Sequence, residues 1–190
     1  MLIAPDTSLF DAWKIVLNEV RTAVNSGGHP FRTVTLATVD DHGAPQQRMV
    51  VLRDFSDGSV FTIYTDSRSD KVNHILGSDS VSLLFYDTQT QLQLRIIGKA
   101  KIVNAGEELL QHWNNRGSKN PYSYTSDLAP GTVIDNPEEA YHWTPEEPSH
   151  FCLIKIVATQ MEFLQLDGLK HIRGEKMIRD RKETTRWITP

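Results

Sequence analysis

One cysteine, Cys152, stands in 190 residues. An internal disulfide is therefore excluded, and any metal site would need other ligands. A chain without cross-links fits a reducing compartment, so a cytoplasmic location is expected. No apolar run approaches the ~18 residues that a membrane-spanning helix requires. The opening residues, MLIAPDTSLF, lack both a basic segment and a long apolar one, so no secretory leader is expected. The formal net charge is −4, so no global positive field draws the chain to nucleic acid or to an anionic membrane. No glycine-rich phosphate loop is present, which leaves dinucleotide and P-loop nucleotide folds unsupported. The histidines, at 29, 42, 74, 112, 142, 150 and 171, form no HExxH-type pair, and no metal is expected. Cys152 lies inside Phe-Cys-Leu-Ile-Lys-Ile-Val, the setting of a small core residue rather than of a nucleophile.

What is present reads as one domain over residues 1–190. A domain of this length buries roughly 70% of its unfolded surface, enough for a core without staples. Residues 8–25 predict a helix. Phe10, Trp13, Leu17, Val20 and Val24 recur every three or four positions, Ser8 is the N-cap, and Gly27-Gly28 is the stop. The pattern then changes to period two. Strands are predicted at 33–39, 46–53, 60–65, 81–86 and 92–103, with turns at 40–43 and 55–58. A short helix is predicted over 69–76 and another over 107–116. Residues 117–149 form a polar stretch long enough to imply function or mobility. Strands at 151–157 and 160–166 follow, then a hairpin of 170–179 and 184–189 around residues 180–183. Many antiparallel strands with few helices predict a mainly β fold, a closed β-barrel.

Four features could carry chemistry. In Tyr64-Thr65-Asp66-Ser67-Arg68-Ser69-Asp70-Lys71, hydroxyls and cations gather at a strand-to-helix junction, as a phosphate dianion requires. Read alone, the same residues are a helix cap with exposed charges. Arg48-Met49-Val50-Val51-Leu52-Arg53 is a strand with a cation at each end, or an ordinary edge strand. Positions 48 and 53 face opposite sides of a regular strand, so one ligand meets both only through a bulge or an end-on approach. Alternation places Gln91, Gln93 and Arg95 on one face of their strand, either against a flat heteroaromatic ring or in water. Finally, residues 170–186 carry seven Lys or Arg against three acids. That excess suits RNA, a phosphate ligand, or simply a solvated hairpin face.

The order of these motifs resembles the pyridoxamine 5'-phosphate oxidase family. The resemblance runs from Arg48–Arg53, through Tyr64-Thr65 and Ser69-Asp70-Lys71, to Gln93 ahead of Ile97-Gly98-Lys99-Ala100. It is strong over residues 33–103, weak over 117–149, and returns at 170–173 and in Arg186-Trp187-Ile188-Thr189-Pro190. The wording of residues 65–72 is similar to an oxidase-like branch without an assigned reaction. The resemblance implies an FMN-binding split barrel that forms a homodimer, with two FMN sites at the interface and a small-molecule substrate. It implies that Arg48 and Lys71 bind the FMN phosphate, assisted by Thr65, Ser69 and Arg68, with Tyr64 beside them. Met49, Val50, Val51 and Leu52 would line the flavin ring through their backbone, and Gln93 would hydrogen-bond it. Arg173 would approach, from one chain, a flavin held by Arg48 and Gln93 of the other; a cation there tunes flavin electronics. Arg53, Arg116 and His171 would contact substrate.

The substrate half departs most from the family. His112 stands for a tyrosine, Asn120 for a serine, Leu169 for an arginine and Arg53 for a lysine. In the cofactor half, Asp70 replaces an arginine and Leu164 a tryptophan. The expected function is an FMN-dependent oxidoreductase. The alternatives are a non-catalytic FMN-binding protein and, from another class, a nucleic-acid-binding barrel using the basic C-terminus.

Overall fold

The computed structural model describes residues 1–115, 121–143, 150–180 and 182–190. Eight strands form one antiparallel sheet: β1 (Thr33–Val39), β2 (Pro45–Ser56), β3 (Val60–Asp66), β4 (Ser80–Asp87), β5 (Leu92–Val103), β6 (Phe151–Gln165), β7 (Ile172–Arg179) and β8 (Lys182–Ile188). Their order is β3-β2-β1-β4-β5-β6-β7-β8, and a further β3–β6 pairing closes the first six into a barrel. Closure removes the open edges of those strands. β6 makes this possible by its length. Its first half pairs with β3, its second half with β7, and β5 runs beside both.

The sequence reading split β6 in two at Ala158-Thr159. The structure instead keeps one strand with a bulge, because Ile97 pairs with Gln160 while Gly98 pairs with Ala158. Gly98 is needed there: a Cβ would lie 2.5 Å from the Val157 carbonyl oxygen. β2 also runs further than predicted, to Ser56. The reversal is confined to residues 57–59, with Asp57 and Gly58 both at positive φ (52° and 67°), a geometry suited to a twisted hairpin. At the C-terminus, Lys182 and Glu183 belong to β8 rather than to the turn, and residues 170 and 171 precede β7.

Helix α1 (Leu9–Asn25) packs on the barrel, and the Ser8 side chain accepts from the Asp11 amide as the predicted N-cap. At its other end Arg32 donates to the carbonyls of Ala23 and Val24. Its buried face is Ala12, Trp13, Val16, Leu17, Val20, Ala23 and Val24. Phe10, predicted on that stripe, is exposed instead: it lies in the first turn, in a groove shared with Lys176 and Glu183 of the hairpin. Trp13 meets Phe163 edge-on at 5.0 Å. The barrel interior is filled by Phe61, Phe85, Leu36, Leu83, Leu94 and Ile96. Helix α2 (Asp70–Gly77) covers one end of the barrel, and α3 (Glu107–Asn115) packs outside β3 and β6 over Tyr64, Phe151 and Leu153. Among the described residues, no helix is long and apolar enough to cross a membrane.

Candidate functional site

The predicted phosphate ligands converge where β1, β2 and β3 meet α2. Register sets Arg48 opposite Leu36, on the face of β2 that points into the barrel. Its Nη1 donates to Thr38 Oγ1 at 2.6 Å and to the Gln46 carbonyl at 3.2 Å. Lys71, in the first turn of α2, donates to Thr65 Oγ1 at 3.1 Å. Thr65 and Ser69 place their hydroxyls 3.2 Å apart, and Ser69 donates to the Asp66 carbonyl. Burial lowers the Lys71 pKa, and the neighbouring Arg48 lowers it further. Burial lowers that of Arg48 too, against the opposing field of Asp70. Two desolvated cations that repel one another, beside the open amides of a helix N-terminus, make a site suited to an anion. Among the described residues, neither cation has a carboxylate within ion-pair distance. Cys152 lies behind the site, paired in register with Thr65. Burial pushes its thiol up to about 12, with Asp66 adding to the shift, so it stays protonated and inert.

The residues of the predicted ring platform separate by alternation. Leu52 is in the core and Val50 packs against it, whereas Met49 and Val51 point outward. Only the backbone of this segment can serve one ligand as a unit, and that backbone is open. β3 pairs with β2 from Leu52 onward, so residues 45–51 have a strand partner on one side alone among the described residues.

Three expectations, for Arg68, Tyr64 and Gln93, are corrected. Arg68 is not in the phosphate cluster. Its guanidinium binds Asp66 through two nitrogens and donates to the carbonyls of Ser126, Asp127 and Leu128, clasping the 121–143 segment to the barrel. Tyr64 points away from Thr65, because adjacent strand residues face opposite sides. Its hydroxyl meets His112 Nδ1 at 2.9 Å. Gln93 does not group with Arg48. Register aligns Gln93 with Leu164 and Leu164 with Arg173, so Gln93 and Arg173 share one outer row. His171 is exposed in the β6–β7 turn, where its Nδ1 accepts from the Asp167 amide.

Arg53 is the extra residue of a β-bulge, since Leu52 pairs with Ile63 and Asp54 with Thr62. The bulge does not bring Arg53 to Arg48, because it turns the side chain to the Tyr64 side of the strand. Its guanidinium stacks on the Tyr64 ring, 5.3 Å from the centroid, and hydrogen-bonds Tyr124. Arg116 and Asn120 lie outside the described residues. Arg173 donates to Glu162 at 2.8 Å, and Arg95 binds the other oxygen of the same carboxylate. With Lys176 on Glu183 and Arg186 on Glu175, three of the six described basic residues near the C-terminus are ion-paired. That weakens the case for a nucleic-acid surface.

Three further residues were not singled out from sequence. Thr38 and His74 support Arg48, and Glu162 holds Arg173. The signal for Thr38 was a hydroxyl at an inward position of TVTLATV, and for His74 a spacing of three from Lys71 along a helix.

Residues 10–104 match the family model described as pyridoxamine 5'-phosphate oxidase, FMN-binding domain. A pyridoxine/pyridoxamine 5'-phosphate oxidase of Rhizobium etli is 34% identical over 97 residues, 51% of this chain and 47% of that protein. The match thus spans about half of that relative. A protein of the same name from Microcystis aeruginosa is 25% identical over 173 residues, 86% of this chain and 80% of its own. Among solved structures, a pyridoxamine 5'-phosphate oxidase-related, FMN-binding protein of Nostoc punctiforme superposes with a TM-score of 0.80 at 22% identity, covering 100% of both chains. The fold is the split barrel of these proteins, and the chain belongs to the pyridoxamine 5'-phosphate oxidase family of FMN-binding domains.

Proposed function

We propose that this chain binds FMN at the α2 end of its barrel and acts as an FMN-dependent oxidoreductase on a small substrate. The observation that carries this reading is the convergence of Arg48 and Lys71, without a carboxylate ion pair, beside the buried hydroxyls of Thr65 and Ser69. A phosphate supplies the missing negative charge. The open backbone edge of residues 48–51 then lies next to it, available to the polar rim of a flavin ring. FMN supplies the two-electron chemistry when bound, and the protein's part is to hold the ring, orient the substrate and exclude water. Mass spectrometry of ligand released from the purified, yellow protein is expected to give the mass of FMN. Riboflavin, or no flavin after incubation with FMN, overturns the reading.

The same geometry favours a homodimer. Thr65 pairs with Cys152 near the start of β6, and Arg173 pairs with Leu164 near its end. Those two positions are twelve residues apart, roughly 40 Å of strand. One chain therefore presents the phosphate cluster and the Gln93–Arg173 row at distant places, and two chains in an isologous pair bring one of each together. Sedimentation of the FMN-loaded protein is expected to show a dimer with two equivalent sites. A stable monomer that keeps tight FMN binding contradicts this arrangement.

A second reading, an FMN-binding protein without turnover, is favoured by one observation. Arg53, one of the predicted substrate residues, is already engaged by Tyr64 and Tyr124, and Tyr64 by His112, so these side chains are turned to one another rather than to a substrate.

A further inference from the structure

We propose that Thr38 and His74 form a positioning pair that presets the Arg48 guanidinium for a phosphate, an inference that rests on the FMN reading above. The inward positions of β1 are Val34, Leu36 and Thr38, all essentially inaccessible to solvent. A hydroxyl at the third of these must find partners. It has two: Arg48 Nη1 at 2.6 Å and His74 Nδ1 at 3.0 Å.

Donor chemistry orders the protons along this chain. Arginine can only donate, so Thr38 Oγ1 accepts from Arg48. The hydroxyl hydrogen is then free for His74 Nδ1, which accepts it when the imidazole carries its proton on Nε2. β1 and α2 thus fix the hydroxyl from two sides, and the hydroxyl fixes the guanidinium. All the hydrogen bonds of Arg48 to described residues use Nη1, the third being a 3.5 Å contact with the Leu36 carbonyl. Nε and Nη2 have no partner among the described residues. One nitrogen is pinned, and the opposite edge of the fork is left for two acceptors, the bidentate arrangement that suits a phosphate. A free arginine side chain loses rotamer freedom when it binds, and one already pinned has less to lose.

The test uses the full chain stripped of flavin and compares Kd for FMN and riboflavin. Thr38→Val and His74→Phe are expected to raise the Kd for FMN by roughly three- to tenfold, with riboflavin unchanged. Thr38→Ser keeps the hydroxyl and His74→Asn keeps an acceptor near the place of Nδ1, so both are expected to restore FMN affinity. Wild-type FMN affinity in Thr38→Val and His74→Phe overturns the proposal. An equal loss for both flavins also overturns it, because the pair then serves the fold and not the phosphate. Should Thr38→Val fail to fold, His74→Phe decides, since His74 is only half-buried on a surface helix. A wild type that binds the two flavins equally refutes the phosphate reading itself, which separates that failure from this one.

Discussion

Replacing Arg48 with alanine is expected to weaken FMN binding by roughly ten- to a hundredfold while leaving riboflavin binding and the fold intact. Charge-assisted hydrogen bonds contribute about 1.5–3 kcal/mol each, and Arg48 offers a phosphate the two nitrogens its internal bonds leave open. The fold should survive because the side chain is half-buried at the barrel end, and Thr38 keeps His74 as a partner. Titration of both flavins against wild type and variant checks this, and an undiminished FMN affinity in Arg48→Ala contradicts it. Lys71 gives the pH dependence. Its pKa is lowered by burial first and by Arg48 second. Its charge is therefore lost at a lower pH than an ordinary lysine's. FMN binding should weaken as pH rises through that lowered value, because the neutral amine no longer attracts the dianion. In Arg48→Ala the repulsion is gone, so the residual loss should set in at higher pH.

Much of this site was legible because its chemistry is local. Thr65, Ser69 and Lys71 lie within one strand-to-helix junction, so sequence spacing alone brings them together. The bounds of β1 and β5 match the sequence reading, since a β-rich run closed by turn residues marks the first and near-regular alternation marks the second. The failures have physical causes. β6 was cut in two because Ala158-Thr159 interrupts the apolar pattern, and a bulge looks like a break when its partner strand is unknown. Tyr64 and Thr65 were assigned to one site although alternation already sends neighbours to opposite faces. Gln93 was grouped with Arg48 because strand order, which the sequence does not display, decides that its row leads to Arg173. Arg68 looked like a phosphate ligand by composition. Only the placement of residues 126–128, sixty positions downstream, shows where its donors go.

Turnover of pyridoxamine 5'-phosphate is expected to be poor, with kcat/KM below the ~10⁴ M⁻¹s⁻¹ that marks the lower end of ordinary enzymes, despite the names of the relatives. A second phosphate, that of the substrate, needs its own convergent cations. Leu169 stands where the family has an arginine, and its side chain is fully exposed in the β6–β7 turn. Losing one charged contact costs about 1.5–3 kcal/mol, or roughly ten- to a hundredfold in affinity. Lys170 is in the same turn, with its amide bonded to the Asp167 carbonyl. It is therefore not a strand neighbour with a fixed opposite face, and its exposed amine is left without a rigid support. His171 keeps its place in the motif, but Nδ1 is occupied by the Asp167 amide, which leaves only Nε2 for a ligand. His112 replaces the tyrosine and turns its ring toward the Tyr64 hydroxyl, while Arg53 is shared between the Tyr64 ring and Tyr124. Hydride transfer asks little of the protein beyond the flavin and a correctly placed carbon, so residual activity is compatible with these losses. Steady-state oxidation of pyridoxamine 5'-phosphate by the FMN-loaded protein, followed through hydrogen peroxide release, decides the matter. An efficiency at or above that bound contradicts the expectation and shows that these departures do not limit the substrate site. An efficiency below it, with FMN bound tightly, points to a donor without a phosphate, because Leu169 supplies no cation and Arg53 is engaged by Tyr64 and Tyr124.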